Sequence, residues 1–253
     1  MDLGLKGKKV LVTGGTRGIG RCCAETFAAE GANIAICARH PDEVDETVGA
    51  LKREGVKVLG KVLDVSEKAA LEEYVTSSAE TFGGLDIIVA NTSALAMTDD
   101  EEAWRISYET DLMHTVRLVN AAMPWLERSD AASITAVSSV SARESDASGP
   151  AYGAFKAALV NYMHGLAVKL AGKNIRANCV SPGNTYFEGG IWQKVEMEMP
   201  DVFANALSLN PTGRMARPEE IARGVVFLAS PASSFTTGTN LVIDGALTRG
   251  VQL

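Results

Sequence analysis

The chain has little of what metal, thiol-redox and nucleic-acid sites are built from. Its 253 residues include only three histidines, His40, His114 and His164, spaced far apart. No H-E-x-x-H or comparable ligand spacing occurs, so no metal site is expected. The four cysteines, Cys22, Cys23, Cys37 and Cys179, form no C-x-x-C pair and lie in apolar segments. They read as buried free thiols of a reducing compartment. Apolar runs stop well short of the roughly 18 residues a membrane helix needs. The N-terminal stretch is too weakly apolar for a secretion signal, so a cytoplasmic location is expected, with no membrane partner. Basic residues form no cluster and the net charge is −7. Both features argue against nucleic acid as a partner. Neither a linker nor a repeat divides the chain, and 46% hydrophobic residues can fill a large core. One domain over 1–253 is expected.

What is present is a rhythm. Short apolar runs at 9–13, 33–38, 57–63, 85–90, 133–138, 175–180 and 241–243 read as strands. Helical patterns separate them, at 19–30, 41–54, 66–82, 100–126, 150–171 and 218–230. Ser66 is the expected N-cap of the third helix. Pro124 is expected to bend or loosen the end of the fourth. Strands that alternate with helices and are apolar throughout predict an α/β fold. Its form is a doubly wound, parallel, seven-stranded sheet with helices on both faces.

Between the first strand and helix lies Thr13-Gly-Gly-Thr-Arg-Gly-Ile-Gly20. Gly14 permits a tight turn; Gly18 and Gly20 let backbone approach a phosphate and the helix. The helix N-terminus then offers free N–H groups to a pyrophosphate. A fold of this kind that takes NAD usually carries Asp or Glu at the end of its second strand. Here that strand ends Cys37-Ala38-Arg39-His40, with no acid. Arg39 and Arg17 can instead face a 2′-phosphate, by charge-assisted and often bidentate contacts. NADP(H) is therefore the expected cofactor.

A second constellation lies in the stretch 138–158. Tyr152 and Lys156 are four residues apart on a predicted helix, so both side chains share one face. Ser139 stands thirteen positions before Tyr152, at the end of the fifth strand. A free phenol has a pKa of about 10, too high for ready proton exchange at neutral pH. A neighbouring ammonium favours the phenolate and lowers it.

With the glycine turn, Ser139 and Tyr152-x-x-x-Lys156 in hand, the chain resembles the short-chain dehydrogenase/reductase family, and within it the 3-oxoacyl-carrier-protein-reductase-like subgroup. The likeness runs over essentially the whole chain, through Asp64-Val65, Asn91, Pro182-Gly183 and the closing Val242-Ile243-Asp244-Gly245. It implies a Rossmann fold and commonly a homotetramer, with the helices around His114 and His164 as contact faces. Cofactor contacts implied in the turn are Gly14, Thr16, Arg17, Gly18, Ile19 and Gly20. Further contacts are implied from Arg39, Asp64, Val65, Asn91, Tyr152, Lys156, Pro182 and Gly183. Ser139 is implied to hold the substrate oxygen and Lys156 the nicotinamide ribose. Tyr152 is implied to exchange a proton with that oxygen as hydride moves between cofactor and carbon.

Three departures from the family pattern stand out. Its Asn-Asn-Ala-Gly reads here Ala90-Asn91-Thr92-Ser93, placing a side chain near the cofactor. Its relay Asn is replaced by Asp111, which could join Lys156 through water, raise the lysine's pKa and partly cancel its field at Tyr152. The Thr often found five residues after the Pro of Pro-Gly is Phe187, with Thr185 as a candidate substitute. The stretch 184–214 is the expected substrate lid. Its Tyr186, Phe187, Ile191, Trp192, Val195, Met197, Met199 and Phe203 suit an apolar wall or ordinary packing. Its acids, Glu188, Glu196, Glu198 and Asp201, disfavour docking of an acidic carrier protein there. The expected function is NADP(H)-dependent interconversion of a ketone and a secondary alcohol on a mostly apolar small molecule. A 3-oxoacyl thioester is the alternative substrate, and a non-catalytic dinucleotide-binding sensor or assembly module the alternative class.

Overall fold

The structure is a computed structural model and describes residues 1–145 and 148–250. Asp146 and Ala147, inside the stretch 138–158, and the last three residues lie outside the described residues.

Seven parallel strands form one sheet in the order β3-β2-β1-β4-β5-β6-β7. They are β1 (Lys9–Thr13), β2 (Asn33–Ala38), β3 (Val58–Val62), β4 (Ile87–Ala90), β5 (Ser133–Val137), β6 (Arg176–Pro182) and β7 (Asn240–Ile243). The chain runs from β1 outward to β3, then returns to the other side of β1 as β4. That reversal opens a crevice beyond the carboxyl ends of β1 and β4, where ligands bind in such sheets. Two layers of helices cover the sheet. On one face lie α1 (Gly18–Ala29), α2 (Pro41–Lys52) and α9 (Pro218–Ala229), whose Phe27, Leu51 and Val225 pack on Val10, Val12 and Ile36. On the other lie α3 (Lys68–Phe82), α5 (His114–Leu126) and α6 (Pro150–Leu170), whose Leu71, Leu118 and Leu159 pack on Leu11, Ile88 and Ile134.

Three local expectations change. Strand β3 is not buried throughout: Gly60, Lys61 and Val62 are exposed, as befits a lysine-bearing sheet edge. Glu67, not Ser66, stands at the N-cap position of α3, and its side chain makes no cap bond. Ser66 instead donates from its N–H and Oγ to Asp64 Oδ1, at 2.9 and 2.8 Å, in a tight side-chain turn. The long helix over 100–126 has three parts: α4 (Glu101–Ser107), a π-helix (Tyr108–Met113) and α5, which continues past Pro124 to Leu126. The stretch 184–214 holds α7 (Ile191–Glu198) and α8 (Pro200–Leu209). Of the thiols, Cys23, Cys37 and Cys179 are buried and Cys22 is half-buried; all four are free. Burial pushes Cys37 and Cys179 up to about 12.

Candidate active site

The glycine turn is fixed by contacts that leave no room for side chains. Gly14 and Gly18 have φ of +63° and +51°, in the left-handed region. A Cβ on Gly20 would lie 2.1 Å from the carbonyl oxygen of Gly14. Asn91 clamps the turn from the end of β4. Its Nδ2 donates to the carbonyls of Thr13 and Gly14, each at 3.1 Å, and its N–H donates to Thr13 Oγ1 at 3.0 Å. The N-cap of α1 is Arg17, which supplies no side-chain acceptor. The first N–H groups of the helix are thus left for a ligand.

One cavity of about 370 Å³ runs along the carboxyl ends of the strands. Arg39, Asp64 and Val65 line one end; Gly14, Thr16, Arg17, Ile19 and Asn91 line the middle. Ser139, Tyr152 and Lys156 line the other end, with Pro182, Gly183 and Thr185 beside them. Gly18 and Gly20 shape the turn without lining the cavity. Thr92 also lines this space; its Oγ1 is buried with no hydrogen-bond partner among the described residues. Uncapped N–H groups and two arginines fit an elongated, phosphate-bearing cofactor.

At the proton-handling end, the two serines after β5 divide their tasks. Ser138 Oγ donates to the carbonyl of Lys156 at 3.0 Å and so serves to anchor α6. Ser139 Oγ caps a one-turn 3-10 helix, accepting from the N–H of Ser141 at 3.1 Å, and faces the cavity. Lys156 Nζ sits 5.6 Å from the centre of the Tyr152 ring and donates to the carbonyl of Val137 at 3.1 Å.

Asp111 meets Lys156 directly, Oδ1 to Nζ at 3.2 Å, with the two side chains 0% and 2% exposed. The expected water between them is not needed. Ser93 Oγ donates to the same Oδ1 at 2.5 Å and in turn accepts from the N–H of Leu95 at 3.2 Å. Leu95 has φ of +49°, a strained value for a branched side chain, and lines the cavity. A chain of contacts therefore runs from a strained loop through Ser93 and Asp111 to Lys156. The π-helix turns Asp111 inward, consistent with the use of such insertions at functional sites. His114, one turn on, is buried against Thr13 Oγ1 at 3.3 Å and the Thr110 carbonyl at 2.5 Å. A carbonyl only accepts, so Nδ1 carries the proton and Nε2 accepts. Burial pulls this imidazole down to about 4, opposed by its bond to Thr110.

The family model described as enoyl-(acyl carrier protein) reductase matches residues 14–248. Isoepoxydon dehydrogenase of Aspergillus clavatus is 41% identical over 98% of this chain and 97% of its own length. Its counterpart in Penicillium expansum is 40% identical over 100% and 99%. Among solved structures, L-sorbose reductase of Gluconobacter frateurii, complexed with NADPH and L-sorbose, superposes with a TM-score of 0.92. It is 30% identical and covers 99% of this chain and 100% of its own. The chain belongs to the short-chain dehydrogenase/reductase family. It is an oxidoreductase of that family.

The two departures from the short-chain dehydrogenase/reductase pattern, at positions 93 and 111, lie apart in sequence. The structure joins them: Ser93 is the hydrogen-bond donor that holds Asp111. Thr185 turns its hydroxyl to the carbonyl of Gly183 at 3.0 Å while lining the cavity. The Phe187 ring lies over the glycine turn, 2.6 Å from where a Cβ of Gly18 would stand. Of the eight apolar residues named in 184–214, only Phe187 and Trp192 line the cavity. Val195 is buried, and Met197 and Met199 are exposed. His114 itself is buried in the site, whereas His164 is exposed.

Sequence reasoning missed Thr92 and Glu43. Thr92 could have been found only as the neighbour of Asn91. Glu43 lies in the first turn of α2, where an acid reads as ordinary helix-dipole complement.

Proposed function

We propose that this enzyme interconverts a ketone and a secondary alcohol on a small, mostly apolar molecule, with NADP(H) as cofactor. The observation that carries the reading is the continuity of one cavity from the glycine turn to Ser139, Tyr152 and Lys156. Reduced nicotinamide, when bound, supplies the hydride. Ser139 Oγ donates a hydrogen bond to the substrate oxygen and orients it. Tyr152 gives its phenolic proton to that oxygen in reduction and takes it back in oxidation. Lys156 stabilises the phenolate by charge, and Asp111, paired with it, is the relay residue that holds the ammonium. Arg17 and Arg39 face the 2′-phosphate, supported by the solved relative with NADPH.

The small-molecule names of the relatives support a free substrate rather than a carrier-bound thioester. Ile106, Leu95, Phe187 and Trp192 form the apolar wall, and the segment 184–214 acts as the lid over it. Free buried thiols accord with a cytoplasmic location. Exposed Trp104 and Tyr108, packed edge-on and tilted against Phe155, accord with a homotetramer.

The test is Tyr152→Phe, with turnover of reduced cofactor followed across a panel of cyclic and acyclic ketones. Loss of roughly 10³-fold with cofactor affinity kept is the expected outcome. Near-normal turnover in the variant would remove Tyr152 from the mechanism. Tight NADPH binding with no turnover of any ketone by the wild type would mark a non-catalytic module.

A further inference from the structure

The end of β2 carries no acid in sequence, yet the fold brings one to the same place from α2. Glu43 Oε2 accepts a hydrogen bond from Thr16 Oγ1 at 2.8 Å and lies 3.6 Å from Arg17 Nε. Thr16 is buried and the Glu43 side chain is 30% exposed. All three line the cavity beside Arg39 and His40. The carboxylate thus engages the two side chains of the glycine turn that could otherwise take an anion. In charge and acceptor geometry it stands in for a ligand phosphate.

We infer that Glu43 is a cofactor-selecting residue, an internal counter-anion that lowers the preference of this site for a 2′-phosphate. The inference rests on the NADP(H) reading of Arg17 and Arg39. A phosphate group brings a charge of about −1.5 to −2. To bind between Arg17 and Arg39 it must displace Glu43 from Arg17 or remain beside a like charge, and either lowers affinity. The neutral ribose hydroxyl of NADH asks for neither. The pyrophosphate is common to both cofactors and only NADPH adds the 2′-phosphate, so Glu43 weakens NADPH more than NADH and sets a narrower ratio between the two than the arginines alone would give.

The experiment compares dissociation constants of NADPH and NADH for the full chain, by cofactor fluorescence titration, in wild type, Glu43→Gln and Glu43→Ala. Gln keeps the shape and the acceptor for Thr16 but removes the charge. NADPH is expected to tighten about tenfold in both variants, with NADH within about twofold. The gain is expected to shrink in about 0.5 M salt, because the pair is partly exposed. An unchanged NADPH-to-NADH ratio in both variants, or an equal gain for the two cofactors, overturns the inference. Tighter binding of NADH than NADPH by the wild type refutes the cofactor reading instead. The Glu43 inference is judged separately, on the change of that ratio between variant and wild type.

Discussion

Replacing Asp111 by Asn changes one oxygen for an NH₂ group and removes one buried charge. The consequences follow from what surrounds it. Asp111 and Lys156 are 0% and 2% exposed and 3.2 Å apart, so neither is solvated by bulk water. Removing one partner of such a pair costs about 3–5 kcal/mol. The amide keeps an oxygen that can accept from Lys156 and Ser93, and Lys156 retains the Val137 carbonyl at 3.1 Å. Its NH₂ faces the N–H of Ala94, 3.4 Å from the present Oδ2, where two donors meet. A loss of about 2 kcal/mol is expected, measured by urea unfolding at neutral pH. The catalytic effect has the opposite character. Without the carboxylate, the full charge of Lys156 acts on Tyr152, 5.6 Å from its ring centre, and favours the phenolate. The acidic limb of alcohol oxidation, where the base Tyr152 becomes protonated, should move down by about one pH unit, a shift worth ~1.4 kcal/mol. Profiles of turnover from about pH 6 to 10 read this directly. A profile that stays in place, or moves upward, refutes the idea that Asp111 offsets the lysine's field. Loss of stability alone would not rescue it.

Two further outcomes are expected. His114, buried neutral, has its pKa pulled from 6.5 to about 4. The unfolded chain therefore binds the proton more readily than the folded one. The contribution is complete above about pH 6.5 and is lost as pH falls toward 4. Unfolding free energy should drop by about 2 kcal/mol between pH 7.5 and 5 on this account, and His114→Asn should flatten that slope; an equal slope in the variant would assign it to carboxylates. Gly20→Ala should cost about 1–3 kcal/mol, because its Cβ meets the Gly14 carbonyl at 2.1 Å and Asn91 Nδ2 at 2.4 Å. A melting temperature equal to wild type would show that the turn yields.

Much of the fold was legible because its causes are local. The apolar runs of β1, β2 and β6 are buried strands with glycine or proline close at hand, and pattern alone places them. The glycine turn and the Tyr152–Lys156 spacing are likewise fixed by nearby residues, and the fold sets them along one cavity. What was not legible depends on distance in sequence or on a period without a signature. Ser93 and Asp111 are 18 positions apart, and only the packing of the β4 loop on the π-helix makes them partners. Glu43 reaches Thr16 across 27 positions. Ser66 misses the cap because the helix starts at Lys68, one position too late, and its N–H and hydroxyl both turn back to Asp64.

The π-helix at Tyr108–Met113 can also be viewed as a matter of chain length. Its last bond, from the N–H of His114 to the carbonyl of Glu109, spans five residues rather than four. The segment therefore holds one residue more than a regular helix on the same path. Deleting one residue there would restore a regular α-helix with α4 and α5 on that same path. The core face of α5, with Leu118, Val119, Ala122 and Leu126, would stay where it is. Asp111, inside the π segment, would be re-aimed off Lys156. The counter-charge of the site is thus encoded by an insertion as much as by a residue type. A relative could carry every side chain named here and still lack it, by being one amino acid shorter between positions 108 and 113.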